Sequence, residues 1–221
     1  MWQRFSPIPL FLFLFVLAFL LAFIQLGILS IVFDKLGLSM SGAYLLLLCS
    51  LFGSAINIPL VTIHSEAPQR EMPLSVWQLL RMNHLVFENK TVIAVNVGGG
   101  IIPFGFSLYL LANTDVSFLH ALLGIGLVAV VSYIASRPIH GLGIGMPILI
   151  APISAALAAL LIDPAHSAPL AYIAGTLGVI IGADLLRLRD IRHMGTPIAS
   201  IGGAGTFDGI FITGIVAVLL A

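Results

Sequence analysis

Two aspartates, Asp184 and Asp208, stand where an anchoring helix has no need of charge. Asp184 lies near the end of one long apolar run, and Asp208 about ten residues into the next, with no basic residue in that run. A charged group at the bilayer centre costs ~2.5–3.5 kcal/mol on insertion scales, so such residues usually face an internal cavity and mark a site. Two carboxyls held close together do not both ionise; one keeps its proton while the other acts as a base. That is the chemistry of aspartic proteolysis, in which the base activates water and the acid donates to the carbonyl or the leaving amine. Asn57, Asn96, His140, Gly203, Gly205 and Thr206 are the residues expected to line the cavity or to contact substrate. Glycine-rich backbone lets an extended peptide come close and leaves free amides for it to pair with.

The elements that hold these residues follow from composition. Of 221 residues, 60% are hydrophobic and 8% charged, against about 25% charged in a typical soluble domain, and mean hydropathy is +1.16. The expected fold is all-α, a single transmembrane domain over residues 1–221 that crosses the bilayer about seven times. The spans are Ile8–Phe33, Gly42–Ile63, Val92–Ala112, Phe118–Ala135, Leu142–Ile162, Leu170–Leu186 and Ile198–Ala221. The first follows Arg4 but is too long for the apolar region of a signal peptide and lacks a small-residue cleavage site, so it reads as a retained helix. Taking ends and loops alternately, eight of the nine basic residues (all but Lys35) fall on one side. Positive loops stay inside, which makes the amino end cytoplasmic and the carboxyl end external, in a cell membrane.

With that topology the costly features coincide. Asn57 and Pro59, then Asn96 with Gly98, Gly99, Gly100 and Pro103, then His140 with Gly141, Gly143, Gly145 and Pro147, then Asp184, and then Gly202 to Asp208 all fall in the cytoplasmic half. Helices broken by Gly and Pro at membrane depth need protein or water to satisfy their amides, so a polar cavity open to the cytoplasm is expected there. Small residues that only let helices pack closely are the plainer reading of any one glycine cluster. The single long connection, residues 64–91, mixes charge with Leu74, Trp77 and Phe87 and reads as an interfacial helix broken at Pro68 and Pro73.

The segment Gly203-Ala204-Gly205-Thr206-Phe207-Asp208-Gly209-Ile210-Phe211, after an Asp at the inner end of the preceding span, resembles the paired-aspartate arrangement of intramembrane aspartyl proteases. That group comprises presenilins, signal peptide peptidases and prepilin peptidases. The resemblance implies a dyad of Asp184 and Asp208 and a transmembrane peptide as substrate. It departs from the Gly-x-Gly-Asp motif, because Thr206 and Phe207 separate Gly205 from Asp208, and Ala168-Pro169-Leu170 lies at the outer end of its span. The whole chain also resembles a family of small prokaryotic membrane proteins of unassigned function, in which the Gly-Ala-Asp-Leu-Leu and Gly-Thr-Phe-Asp-Gly-Ile-Phe segments stand out.

The rival class is a secondary transporter or channel, since broken helices with buried Asp and Asn also build ion and substrate sites. Metal-dependent chemistry on His64, Glu66, His84, Glu88, His140 and His193 is the third reading, but no His-Glu-x-x-His or Cys pair supports it, and no metal is expected. No phosphate-binding loop is present and no cofactor is implied. A formal net charge of zero gives no basic field for nucleic acid, so membrane lipid is the expected partner. Cys49 is alone and can form no internal disulfide. The sequence is silent on oligomeric state.

Overall fold

Unbroken apolar runs rich in Leu, Ala and Ile form most of the helices. The computed structural model describes residues 13–19, 22, 27–65, 89–139, 143–203 and 209–221. Among them are helices α1 (Ile28–Lys35), α2 (Met40–Gly53), α3 (Ile102–Asn113), α4 (Phe118–Ala135), α5 (Ile150–Ile162), α6 (Ser167–Val179) and α7 (Gly209–Leu220). Two helical stretches, α4 and the continuous Pro164–Leu185 that contains α6, are long and apolar enough to cross a membrane. Met40–Gly53, Val97–Asn113 and Ile150–Ile162 are apolar but shorter.

An all-α chain is not what forms. Among the described residues there are five strands: β1 (Asn57–His64), β2 (Lys90–Asn96), β3 (Arg137–Ile139), β4 (Gly143–Gly145) and β5 (Ile198–Ile201). β1 runs antiparallel to β2 with a register shift between Pro59 and Val61, and β5 lies parallel to β2 on its other side. The segments predicted as helical Gly42–Ile63 and Val92–Ala112 are therefore each two elements, a strand joined to a helix. Their strand parts, Ile58-Pro59-Leu60-Val61-Thr62-Ile63 and Thr91-Val92-Ile93-Ala94-Val95, are rich in β-branched residues, which pack well on a pleated surface. Pro59 cannot donate to a ladder and sits on an edge strand, where none is needed. Likewise the predicted Leu142–Ile162 becomes helical only at Ile150, and Gly143 and Gly145 belong to the small β3–β4 hairpin ahead of it.

α6 is the central helix. Of Pro164–Leu185, 83% is buried, against 28% of α4, because α6 presents small residues to every neighbour. Gly124 of α4 packs on Ala174 and Leu170, and Gly175 packs on Ala155 and Thr213. Gly182 lies against the backbone of Ala129, and Gly214 against the Tyr172 ring. Close approach through small residues is how helices gain contact where the surroundings are as apolar as they are. The outward face of α4 instead exposes Leu119, Leu123, Val130 and Ile134.

Successive helices alternate in direction. Asp163, at the end of α5, meets His120 in the first turn of α4 at 3.0 Å and His166, just before α6, at 3.2 Å. Ser167, the first residue of α6, donates to the Ala221 carbonyl just past α7. At this end the hydrogen bond from His120, helped by those from His166 and opposed by desolvation, holds the Asp163 carboxyl below its ordinary pKa. At the opposite end Arg187 donates to the Tyr133 and Ser136 carbonyls at the close of α4, at 2.7 and 2.8 Å, and stacks over the Tyr133 ring.

Candidate functional site

Two helical stretches carry a wide, π-type turn. One is Val97–Ile101, leading from β2 into α3, and the other is Ile180–Leu185, following α6. A π turn inserts one extra residue and redirects the side chains after it, and such turns occur frequently at functional sites. Asp184 lies in the second of them.

The Asp184 carboxylate accepts the backbone N–H of Gly202 at 3.0 Å. Gly202 is the residue just past β5, with φ of +81°, followed by Gly203 with φ of +88°. Both angles lie in the left-handed region that favours glycine. A Cβ on Gly202 would also strike the backbone of Gly99 and Gly100, so the turn needs a residue without a side chain on two counts. The contact ties the glycine-rich segment that runs toward Asp208 to the other aspartate. Asp208, Gly205, Thr206 and His140 themselves lie outside the described residues. α7 begins at Gly209, immediately after Asp208. The expectation of an aspartate ten residues deep in a continuous span is thereby corrected, because Ile198–Ile201 is strand and the helix starts later.

By spacing alone, Arg187 and Arg189 are the basic residues near enough along the chain to pair with Asp184 as a plain end-of-helix contact. The Arg187 guanidinium instead pairs with Asp190 at 3.0 Å and caps the end of α4. Cations at a helix C-terminus gain from its exposed carbonyls, which accounts for Arg187 without the site.

Asn57 and Asn96, chosen from the sequence as polar residues in apolar runs, are directly opposite one another in the β1–β2 ladder. Asn96 is fully buried. Its Oδ1 accepts the N–H of Gly99 at 2.8 Å and so caps the π turn, while its Nδ2 donates to the Ser54 carbonyl at 2.7 Å and to Asn57 Oδ1 at 3.1 Å. The Ser200 hydroxyl donates to the same Asn57 oxygen at 2.6 Å, which links all three strands through side chains. Ser50 donates from α2 to the Gly98 carbonyl. Ser200, Ser50 and Ser54 belong to this network and were not singled out from the sequence; only the alternation of Ile198-Ala199-Ser200-Ile201 hinted at the first.

Every group on the Asn96 amide is engaged in a structural bond, so Asn96 holds β2, α2 and the π turn together rather than binding a ligand. Asn96→Ala leaves a buried N–H and a buried carbonyl without partners, at about 1–3 kcal/mol each. Thermal unfolding in detergent should show a loss of about that size, with Asn57→Ala, whose residue is half-buried, costing less.

Among the described residues, no group of three or more His, Cys, Asp or Glu is placed to hold a metal ion. Glu66, His84, Glu88 and His140 of the metal reading lie outside those residues. Arranged this way, the site offers a carboxylate on a π turn, a glycine backbone fastened to it and an edge strand, β1, whose Ile58, Leu60 and Val61 are exposed.

Compared with known proteins, residues 51–220 match the family model described as a protein of unknown function, DUF1614. No curated protein and no solved structure matches.

Proposed function

The chain belongs to the DUF1614 family of proteins of unknown function, and from that premise we propose that it is a polytopic intramembrane aspartyl protease with Asp184 and Asp208 as its dyad. The observation that carries this reading is the Gly202 N–H on the Asp184 carboxylate. It brings the start of the segment 202–208 to one aspartate. At the other end of that segment, Ile210 is buried in the first turn of α7.

In the proposed reaction the ionised carboxylate takes a proton from water as the water oxygen attacks the scissile carbonyl. The protonated carboxyl gives its proton to the carbonyl oxygen, which yields a tetrahedral diol. Collapse of the diol breaks the C–N bond: the carboxyl that took the proton of water gives it to the leaving amine, the other carboxylate takes a hydroxyl proton from the diol as the carbonyl re-forms, and both return to their starting forms. The exposed edge of β1 suits a substrate in extended form, since an unpaired strand edge offers backbone donors and acceptors to a further strand. The transporter reading draws on Asn57, Pro59, Asn96 and the segment 202–208, and the engagement of the Asn96 amide counts against that residue as a ligand.

The membrane arrangement is part of the proposal. Spans that alternate in direction, with Arg137 and Arg187 at one end and Lys35 at the other, support a dyad in the cytoplasmic half. After Cys49 is replaced, a cysteine at Asp115 should react with an impermeant thiol reagent added to intact cells, and one at His64 should not. Labelling of His64→Cys alone would reverse the orientation. The activity is tested by incubating the purified full chain in lipid vesicles with a membrane-spanning peptide. Cleavage inside the peptide's apolar segment is expected, and movement of solute without any cut peptide would favour the transporter instead.

A further inference from the structure

We infer that the side-chain amide of Asn57 is a substrate-facing donor, which presents Nδ2 to a backbone carbonyl of an extended peptide; the inference rests on the protease reading above. The orientation follows from a chain of groups that have only one role each. The Gly99 N–H can only donate, so the Asn96 atom 2.8 Å from it is the oxygen. The Asn96 nitrogen therefore faces the Ser54 carbonyl, which can only accept, at 2.7 Å, and turns its second hydrogen toward Asn57 at 3.1 Å. Because that nitrogen donates, the Asn57 atom facing it is Oδ1, and the Ser200 hydroxyl 2.6 Å from the same oxygen must donate as well. Both acceptor directions of Asn57 are thus filled from within the protein. Its nitrogen points away from these partners, and no acceptor for it is found among the described residues.

The place is as informative as the orientation. Asn57 opens β1, the edge strand, and is half-buried. Ser200, which holds its oxygen, is two residues before Gly202, the residue on the Asp184 carboxylate. A primary amide with two hydrogens is thus fixed at the start of β1, with its oxygen held by Ser200 of β5, the strand that leads to Gly202 and Asp184. Asn57 is half-buried, so this nitrogen is open to an incoming carbonyl. Since the amide is already oriented, binding loses little side-chain freedom.

Asn57→Asp removes the donor. It keeps an oxygen that accepts from Ser200 and Asn96 and puts a charged, accepting oxygen in place of the donating nitrogen, so the neutral Asn57→Ala is measured beside it to separate the lost donor from the added charge. Full-length protein in lipid vesicles would be given a labelled membrane-spanning peptide and KM and kcat measured; in an Asp184→Asn background, where nothing is cut, peptide affinity would be measured by fluorescence anisotropy. Asn57→Asp should raise KM, and Kd in that background, about tenfold or more, the loss expected when a carbonyl meets an oxygen in place of a donor. Ser200→Ala, which leaves the nitrogen in place, should change both by less than about threefold. Affinity unchanged to within about twofold on adding Asn57→Asp overturns the donor, even where the wild type cuts peptide. Weakened affinity with a wild type that cuts nothing keeps the donor and removes the protease. If Asn57→Asp does not insert, Asn57→Ala carries the same comparison, and a peptide with an ester in place of the paired amide should lose affinity for the wild type but not for that variant.

Discussion

Asp184→Asn and Asp208→Asn should each reduce the proposed peptide cleavage at least about a thousandfold while the protein stays inserted and folded, because a proton-exchanging carboxyl contributes roughly 10²–10⁴ in rate and a dyad works as a unit. Asn preserves the shape. At Asp184 it also preserves the oxygen that accepts the Gly202 N–H, so the turn stays attached to the π segment and the loss can be assigned to chemistry. The double variant should be little worse than either single one, since two groups sharing one proton lose the whole function when either goes. The pH profile of kcat/KM should be bell-shaped, with one limb for the pair becoming doubly ionised and the other for it becoming doubly protonated. A transporter gives another pattern: altered coupling or affinity for solute, and no cut peptide in the wild type. Carboxyls more than about 10 Å apart with a packed helix between them, beyond the reach of a shared water, would defeat the dyad.

The residues of interest were more legible in the sequence than the elements that hold them. Asn57 and Asn96 stood out because polar side chains are costly in apolar runs, and they prove to be cross-strand partners. The strands did not stand out. Hydropathy measures how apolar a segment is and carries nothing about its hydrogen-bond partner, so Gly42–Ile63 read as one helix although only Met40–Gly53 is helical and Asn57–His64 pairs with residues after a long connection. The β-branched run Val61-Thr62-Ile63 was the available sign. The first π turn falls on Gly98-Gly99-Gly100, where the sequence reads as a broken helix, but the extra residue of each turn leaves no mark in composition or period. Asp184 was picked out for its charge, but its link to Gly202 depends on two positive φ angles and on three strands meeting, which no local pattern encodes. The pairing of Arg187 with Asp190 was equally hidden, since spacing along the helix allowed Asp184 or Asp190 alike.

Gly98→Ala should unfold the site end of the molecule, at a cost above about 3 kcal/mol, beyond the usual range for overpacking. A Cβ built on Gly98 runs into the Ser50 carbonyl oxygen and the Ser54 nitrogen, which are backbone atoms of the last turn of α2. A flexible side chain would swing aside, but a helical backbone at this crossing has nowhere to go, and protein interiors pass such strain on rather than absorb it. The displacement would break the Ser50 hydroxyl's bond to the Gly98 carbonyl and pull Asn96 off Ser54, and with Asn96 would go the cap on the π turn. Thermal unfolding in detergent should fall steeply, and peptide cleavage should disappear with it. Gly105→Ala and Gly126→Ala are the matched controls, also glycines in helices but with open space where the methyl would go. There Ala should stabilise by about 0.5–1 kcal/mol, because it lowers the entropy of the unfolded chain and clashes with nothing. The same substitution should therefore change sign between positions 98 and 105, seven residues apart in one continuous helical stretch, and equal effects at the two would mean that α2 and the glycine turn do not cross as closely as Ser50 and Gly98 require.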